Sequence, residues 1–116
     1  MLFRSPGTPL ITEDACERIV ILPDRAALYA RADARFDAMI ADGALAEVSW
    51  LARDNLDPTL PVMRAHGVPQ LVLYHLGTIT LAAAIAEAKL ETRRYIKRQM
   101  TWLKRNMCSW KAIYAQ

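Results

Sequence analysis

The sequence predicts a mainly α-helical fold with four or five helices and a single isolated strand. Capping residues and glycines bracket several amphipathic segments of helical length. By contrast, only Arg18–Leu22 is dense in β-branched residues. The 116 residues, of which 53% are hydrophobic and 23% charged, have room for one domain with a modest core.

The amino-terminal part predicts little regular structure. Residues 1–16 form a turn-rich connector that is typical of the interior of a longer chain, with a short helical turn over Glu13–Glu17. Pro23 closes the strand Arg18–Leu22. A lone strand leaves its backbone groups unsatisfied, so this segment either needs a sheet that the chain does not otherwise supply or is an extended arm.

Four helices follow, in a helical portion that we place at residues 17–107. Their predicted bounds are Arg25–Asp42, Ala44–Arg53, Val68–Leu76, and a long helix from about Leu81 to about Asn106. Asp24 and Thr80 are typical N-caps, while Gly43 and Gly77 are typical helix stops. Residues 108–116 show no clear period, and we interpret them as a frayed tail or a cut edge.

The positive charge of the chain is concentrated in one stretch. The formal net charge is +3, from 15 cations and 12 acids. The stretch Thr92–Arg105 contains no acid and six cations, namely Arg93, Arg94, Lys97, Arg98, Lys104 and Arg105. The nine cations elsewhere are outnumbered by the twelve acids, so the rest of the chain is net acidic. A local basic patch indicates a surface that meets a partner.

On a helical wheel of about 100° per residue, the six cations fall on one side of this stretch. The other side is apolar and carries Ile96, Met100, Leu103 and Met107. Tyr95, Gln99 and Trp102 lie between the two sides. Clustered cations beside flat rings suit nucleic acid, because the cations release counterions from phosphates and a ring stacks on an unpaired base.

Other interpretations of the basic stretch stay open. It is alternatively a solvated helix face, the companion of an acidic patch elsewhere, or an amphipathic helix on a membrane surface. Trp102 either stacks on a base or packs against the preceding helix. Packing is favoured, because a large ring near the apolar side of a helix is usually buried.

Spacing alone identifies no catalytic set. A GxxxxGK[ST] phosphate loop is absent from the sequence, and neither histidine has a nucleophile or metal-ligand companion nearby. Asp33 and Asp37 are expected to pair with Arg31 and Arg35 of the same helix. The alternative is that the two arginines clamp a phosphate, and the sequence favours neither.

Cysteine usage and hydropathy predict a reducing, cytoplasmic setting. Cys16 and Cys108 are far apart in sequence and make neither a disulfide framework nor a metal site. No apolar run approaches the roughly 18 residues that a membrane span needs, and residues 1–16 lack the apolar region of a signal peptide. We therefore expect no membrane partner.

Three blocks of the sequence resemble one enzyme family. They are residues 23–48 (PDRAALYARADARFDAMIADGALAEV), 60–68 (LPVMRAHGV) and 92–104 (TRRYIKRQMTWLK). In collinear order, Pro6–Lys104 is similar to the carboxy-terminal portion of bacterial tRNA dimethylallyltransferases. The resemblance implies that the chain is a helical C-terminal fragment of an α/β fold like that of P-loop kinases. It also implies that the parent enzyme transfers a dimethylallyl group from dimethylallyl diphosphate to N6 of adenosine 37 in tRNA, assisted by Mg²⁺.

The resemblance further implies two tRNA-contacting segments that meet the anticodon stem-loop. Their residues here are Arg64, Ala65, His66, Gly67, Lys97, Arg98, Gln99, Thr101, Trp102 and Lys104. Arg31 and Arg35 match positions near the substrate diphosphate. The first segment departs from the family pattern, because Val68 and Pro69 stand where relatives usually have a ring and a cation.

The P-loop, the general base and the region that inserts into the anticodon stem have no counterpart in these 116 residues. The resemblance therefore implies no catalytic residue, metal ligand or cofactor held by this chain alone. We expect the chain alone to be inactive, and we expect self-association through surfaces that the missing part would cover. The alternative is a free-standing, non-catalytic helical module that binds RNA or another protein.

Overall fold

The computed structural model describes residues 7–115; residues 1–6 of the predicted connector, and residue 116, lie outside the described part. It contains four α-helices: α1 (Arg25–Ala41), α2 (Ala44–Arg53), α3 (Val68–His75) and α4 (Leu81–Asn106). Two strands, β1 (Ile19–Pro23) and β2 (Lys111–Ala115), and two 3₁₀ turns, Glu13–Ala15 and Pro61–Arg64, complete the described elements. The predicted mainly α-helical fold is confirmed.

The helix bounds follow from their caps. The Asp24 carboxylate accepts a hydrogen bond from the Ala27 N–H at 2.9 Å, and the Thr80 hydroxyl oxygen accepts one from the Ala83 N–H at 3.1 Å. Gly43 separates α1 from α2 with a φ of 109°, in the left-handed region that favours glycine. Each predicted helix accordingly ends within one residue of its expected position.

The core lies where α4 crosses α1 and α3. Its buried members are Phe36, Val48, Leu71, Ala84 and Ala88. Ala84 and Ala88 are small and almost fully buried, which lets the neighbouring helices approach α4 closely, while Leu81 and Ile85 of the same helix pack against the cluster. Further along α4, Ile96 and Met100 are also buried, which confirms the apolar side predicted from the wheel.

The prediction of an unpaired strand and an irregular tail is wrong, because the two segments pair with each other. β1 and β2 form a parallel ladder from Ile19 opposite Lys111 to Pro23 opposite Ala115. The helices α1 to α4 all lie between the two strands in sequence and together provide the crossover that a parallel pair requires. The predicted short turn after Thr12 is present as the 3₁₀ turn Glu13–Ala15.

The molecule is elongated for its length. Its Cα radius of gyration is 18.8 Å, against roughly 13 Å for a compact chain of this size. The β-pair adds little to the helical core, since Val20 is buried but lies outside the main core cluster. Among the described helices, none combines the length and the apolar character needed to cross a membrane.

Candidate nucleic-acid interface

One cation of the basic stretch is used to join two helices. Arg93 of α4 donates to the Asp33 carboxylate of α1, and Lys89 lies 2.7 Å from the Asp37 carboxylate. The partner carboxylate raises the pKa of Arg93, first through the hydrogen bond and then through its charge. The expectation that Asp33 and Asp37 pair within α1 is therefore wrong, because both face α4 across the helix interface.

The other five cations are exposed and form no salt bridge within residues 7–115. They are Arg94, Lys97, Arg98, Lys104 and Arg105. The interpretation of these five as partners of an acidic patch within the described chain is not supported. They are instead available to an anionic partner.

Four of these five cations divide between two grooves. Lys97, Arg98 and Arg105 line a surface groove of about 390 Å³ together with Trp102. Lys104 lines a different groove, of about 670 Å³, at the carboxyl end of the β-pair and the start of α1. The cations that the helical wheel places on one side of α4 therefore do not share one groove, because Lys104 lies apart from the others, where the sheet meets α4.

Trp102 is exposed, contrary to the packing that the sequence favoured. Its relative exposure is 52%, and its ring lines the same groove as Arg98 and Arg105. Thr101 is in the same groove, with its hydroxyl donating to the Lys97 carbonyl at 2.9 Å. An exposed indole flanked by cations offers a flat surface for stacking beside groups that bind phosphate.

Tyr95 connects the two segments that the resemblance assigns to tRNA. Its ring centroid lies 4.8 Å from that of His66, with the planes at 55°, and the Arg98 guanidinium lies 6.0 Å from the Tyr95 centroid. Gln99 donates to the Tyr95 hydroxyl at 2.8 Å. Sequence reasoning left Tyr95 out of the predicted site, although its spacing of three and four residues from Arg98 and Gln99 predicts these contacts.

A cleft of about 290 Å³ lies beside this bridge. It is lined by Ala32, Arg35, Phe36, Met39, His66 and Thr92. Arg35 and His66, which were assigned to diphosphate and to tRNA respectively, therefore line the same cleft. Arg31 is exposed and does not line it. The cleft combines a cation, an imidazole and a hydroxyl with an apolar wall, which suits an anion that carries an apolar or aromatic part.

The first predicted segment presents three exposed residues and one buried one. Arg64, Ala65 and His66 are exposed, whereas Gly67 is buried with a φ of 91°. A Cβ placed on Gly67 would lie 2.5 Å from Cε2 of Phe36. Packing against Phe36 therefore explains why glycine is needed at position 67, without any contact to RNA.

The described residues were also compared with the ligand clusters that metal ions use in proteins. No group of three His, Cys, Asp or Glu side chains that could hold a metal ion occurs within the described range.

The fold and its surface define a class of protein, namely a helical unit with exposed cations and aromatic rings along its longest helix. The chain belongs to the IPP transferase family, whose model matches residues 6–106. It is 52% identical over 99 residues to a tRNA dimethylallyltransferase of Bradyrhizobium sp. (strain BTAi1), covering 85% of this chain. It is 54% identical over 102 residues to that of Methylobacterium radiotolerans, covering 88% of this chain.

Solved structures support the same family assignment. The full-length tRNA isopentenylpyrophosphate transferase of Bacillus halodurans superposes with a TM-score of 0.73 at 31% identity, over 84% of this chain and 32% of that one. The enzyme from Staphylococcus epidermidis gives 0.71 at 31% identity, over 84% and 31%. The chain also covers only 32% of each of the two sequence relatives, so it spans about a third of their length.

Proposed function

We propose that this chain supplies tRNA contacts to a tRNA-modifying prenyltransferase, and that it binds the anticodon stem-loop. The observation that carries the proposal is the unpaired cation set of α4, joined through Tyr95 to the turn that holds His66. The relatives support it, because they are named as enzymes that act on tRNA.

Each part of the surface has a distinct task in this proposal. Lys97, Arg98 and Arg105 contact phosphates, which supplies most of the affinity and makes it dependent on salt. Trp102 stacks on an unpaired base, since stacking on an aromatic ring tolerates any base. Tyr95 contacts both Arg98 of α4 and His66 of the preceding turn. These contacts keep the two segments in a fixed position relative to each other, so that the RNA binds both segments at once.

For the complete enzyme, we propose transfer of a dimethylallyl group from dimethylallyl diphosphate to N6 of adenosine 37. Mg²⁺ would neutralise the leaving pyrophosphate there. The contribution of this chain is Arg35, which lines the cleft beside His66 and provides positive charge towards the diphosphate. We infer that the 116 residues alone do not catalyse transfer, because the P-loop and the general base of the family have no counterpart in them. Incorporation of labelled prenyl groups into a stem-loop by the purified chain would contradict this inference.

Binding of a labelled anticodon stem-loop, measured by fluorescence anisotropy, tests the proposal. The Arg98→Ala variant should weaken binding roughly tenfold, since a charge-assisted hydrogen bond contributes about 1.5 kcal/mol. Arg53→Ala is the matched control, because Arg53 is also an exposed helical arginine but lies on α2. Equal loss in both variants would show that only net charge matters.

A second titration separates RNA binding from binding of an acidic protein. Polyglutamate of matched charge is added to the complex of the chain with the stem-loop. Polyglutamate offers carboxylates but no bases, so it should displace the RNA only at a large excess. Displacement at equal charge concentration would favour the protein-interaction module instead.

A further inference from the structure

The row of α4 that carries the proposed RNA contacts begins with an acid. Glu91 is the last carboxylate before the basic stretch Thr92–Arg105. At about 3.6 residues per turn, it shares one row with Tyr95, Arg98 and Trp102, which lie further along the helix. All four side chains are exposed. An RNA strand that follows this row of α4 therefore passes a carboxylate as well as cations and rings.

The carboxylate of Glu91 is held by α3. Gln70, in the first turn of α3, donates from Nε2 to Oε2 of Glu91. A flipped amide would turn its carbonyl oxygen towards the carboxylate, so the amide of Gln70 has one favoured orientation. The Oε1 atom of Gln70 is buried with no hydrogen-bond partner in residues 7–115, which costs free energy. The carboxylate is thus kept at a defined position beside the start of α3.

The other carboxylate oxygen of Glu91 is available. Its Oε1 accepts no hydrogen bond from residues 7–115, and Glu91 forms no salt bridge there, although Arg94 lies three residues further along α4. One helical turn after Glu91, the ring centroids of Tyr95 and His66 lie 4.8 Å apart. This oxygen is therefore within one turn of two side chains that already belong to the proposed RNA surface.

A carboxylate on this row selects among the groups that RNA offers. It only accepts hydrogen bonds, so it repels phosphates and needs a donor from the RNA. Unpaired bases expose their Watson–Crick edges, on which adenine, cytosine and guanine each carry an exocyclic amino group. A carboxylate pairs with such a group, as with N4 of cytosine. Uracil has a single N–H on this edge, between two carbonyl oxygens that would face the carboxylate.

We propose that Glu91 determines base specificity by accepting, through Oε1, a hydrogen bond from the exocyclic amino group of an unpaired base, and that Gln70 positions it. The inference rests on the proposed function, namely that α4 binds RNA. The cations of α4 bind any phosphate, so they contribute affinity without selecting a sequence. Glu91 adds the selection, because an amino group satisfies the carboxylate whereas uracil leaves it unpaired beside phosphates.

Binding of two oligonucleotides by the complete chain, measured by fluorescence anisotropy at neutral pH and fixed salt, tests the proposal. Oligocytidine and oligouridine of equal length have the same charge and ring size, and they differ at the edge that Glu91 reads. The wild-type chain should bind oligocytidine about tenfold more tightly, the size expected for a hydrogen bond to a charged group. Glu91→Gln should bring the two affinities together, because an amide also donates and so accommodates uracil.

Glu87→Gln is the matched control, because Glu87 is an exposed acid of α4 one turn before Glu91 and the change removes the same charge. Both variants should bind oligouridine more tightly than the wild-type chain, since a repulsive charge is lost, but Glu87→Gln should keep the preference for oligocytidine. Loss of the preference in both variants would show that net charge sets it. A wild-type chain that binds both oligonucleotides equally would overturn the role of Glu91 and leave the proposed RNA binding intact. A chain that binds neither would refute the proposed function, and this inference with it.

Gln70→Met tests the positioning role, because it removes the donor and keeps an unbranched side chain of similar length. The charge of Glu91 stays, so affinity for oligouridine should remain at the wild-type value. The preference for oligocytidine should fall, since the carboxylate is no longer held. A contact that only packs α3 on α4 would lower thermal stability and leave the preference of the folded protein unchanged, and that result would refute the role of Gln70.

Discussion

Removing Arg98 and Arg105 together should flatten the salt dependence of RNA binding without unfolding the chain. Both guanidinium groups are exposed, line the groove beside Trp102, and make no salt bridge with another described residue. Their loss therefore leaves no buried group unpaired. The double variant Arg98→Ala/Arg105→Ala changes the number of phosphate contacts, and within the protein it removes the surface contact between Arg98 and Tyr95.

The size of the effect follows from counting cations. Each phosphate neutralised on a single strand contributes about −0.7 to the slope of log affinity against log salt. If all five unpaired cations of α4 engage one phosphate each, the wild-type slope is about −3.5, and the double variant has about −2.1. Between roughly 50 and 200 mM salt, the wild-type affinity should fall about a hundredfold and the variant affinity about twentyfold.

The assay is anisotropy of a labelled anticodon stem-loop at four or more salt concentrations. Arg53→Ala/Lys111→Ala removes the same charge from α2 and β2, so it should keep the wild-type slope. An unchanged slope for Arg98→Ala/Arg105→Ala would remove these residues from the interface. The same flattening in both double variants would mean that the RNA responds to net charge and not to α4.

Three further predictions concern stability, measured by chemical denaturation. Gly67→Ala should destabilise the fold by at least about 1 kcal/mol, because the residue has a positive φ and its new Cβ would meet Phe36. Thr80→Ala should cost about 1 kcal/mol by removing the cap of α4, while Thr80→Ser should restore most of it. Asp33→Ala should lower the free energy of unfolding by up to about 1 kcal/mol, since its ion pair with Arg93 is partly exposed. The same change releases Arg93, so RNA affinity should not fall. A fall in affinity would contradict a purely structural role for Asp33.

The helices were predictable because their ends carry local signals. Asp24 and Thr80 cap the helices that follow them through side-chain hydrogen bonds three residues on, and Gly43 supplies a left-handed turn. Such signals act within a few residues, so a single sequence contains them. The segment Lys111–Ala115 has only one β-branched residue, and the ladder that makes it a strand comes from β1 about 90 residues earlier.

The candidate site was predictable in its composition and less so in its arrangement. The wheel separated the cations from Ile96 and Met100 correctly, because helical period alone fixes that separation. It could not show that Lys104 turns towards the sheet, because the wheel contains no neighbouring element. The exposure of Trp102 was missed for a similar reason, since the packing interpretation assumed a neighbour on that side of α4.

The interhelical ion pairs separate the cations of α4 into those that bind α1 and those that face solvent. Asp33 meets Arg93 and Asp37 meets Lys89, so the pairs run in opposite directions along antiparallel helices. The Oδ1 atom of Asp33 is buried with no hydrogen-bond partner among the described residues, whereas Oδ2 accepts from Arg93, so the charge of Arg93 offsets part of the desolvation of this carboxylate. Two pairs one turn apart fix both the register and the rotation of α4 against α1. With that rotation fixed, the row that holds Arg98 faces solvent, so the same two ion pairs that stabilise the helix pair also orient the proposed RNA-binding side.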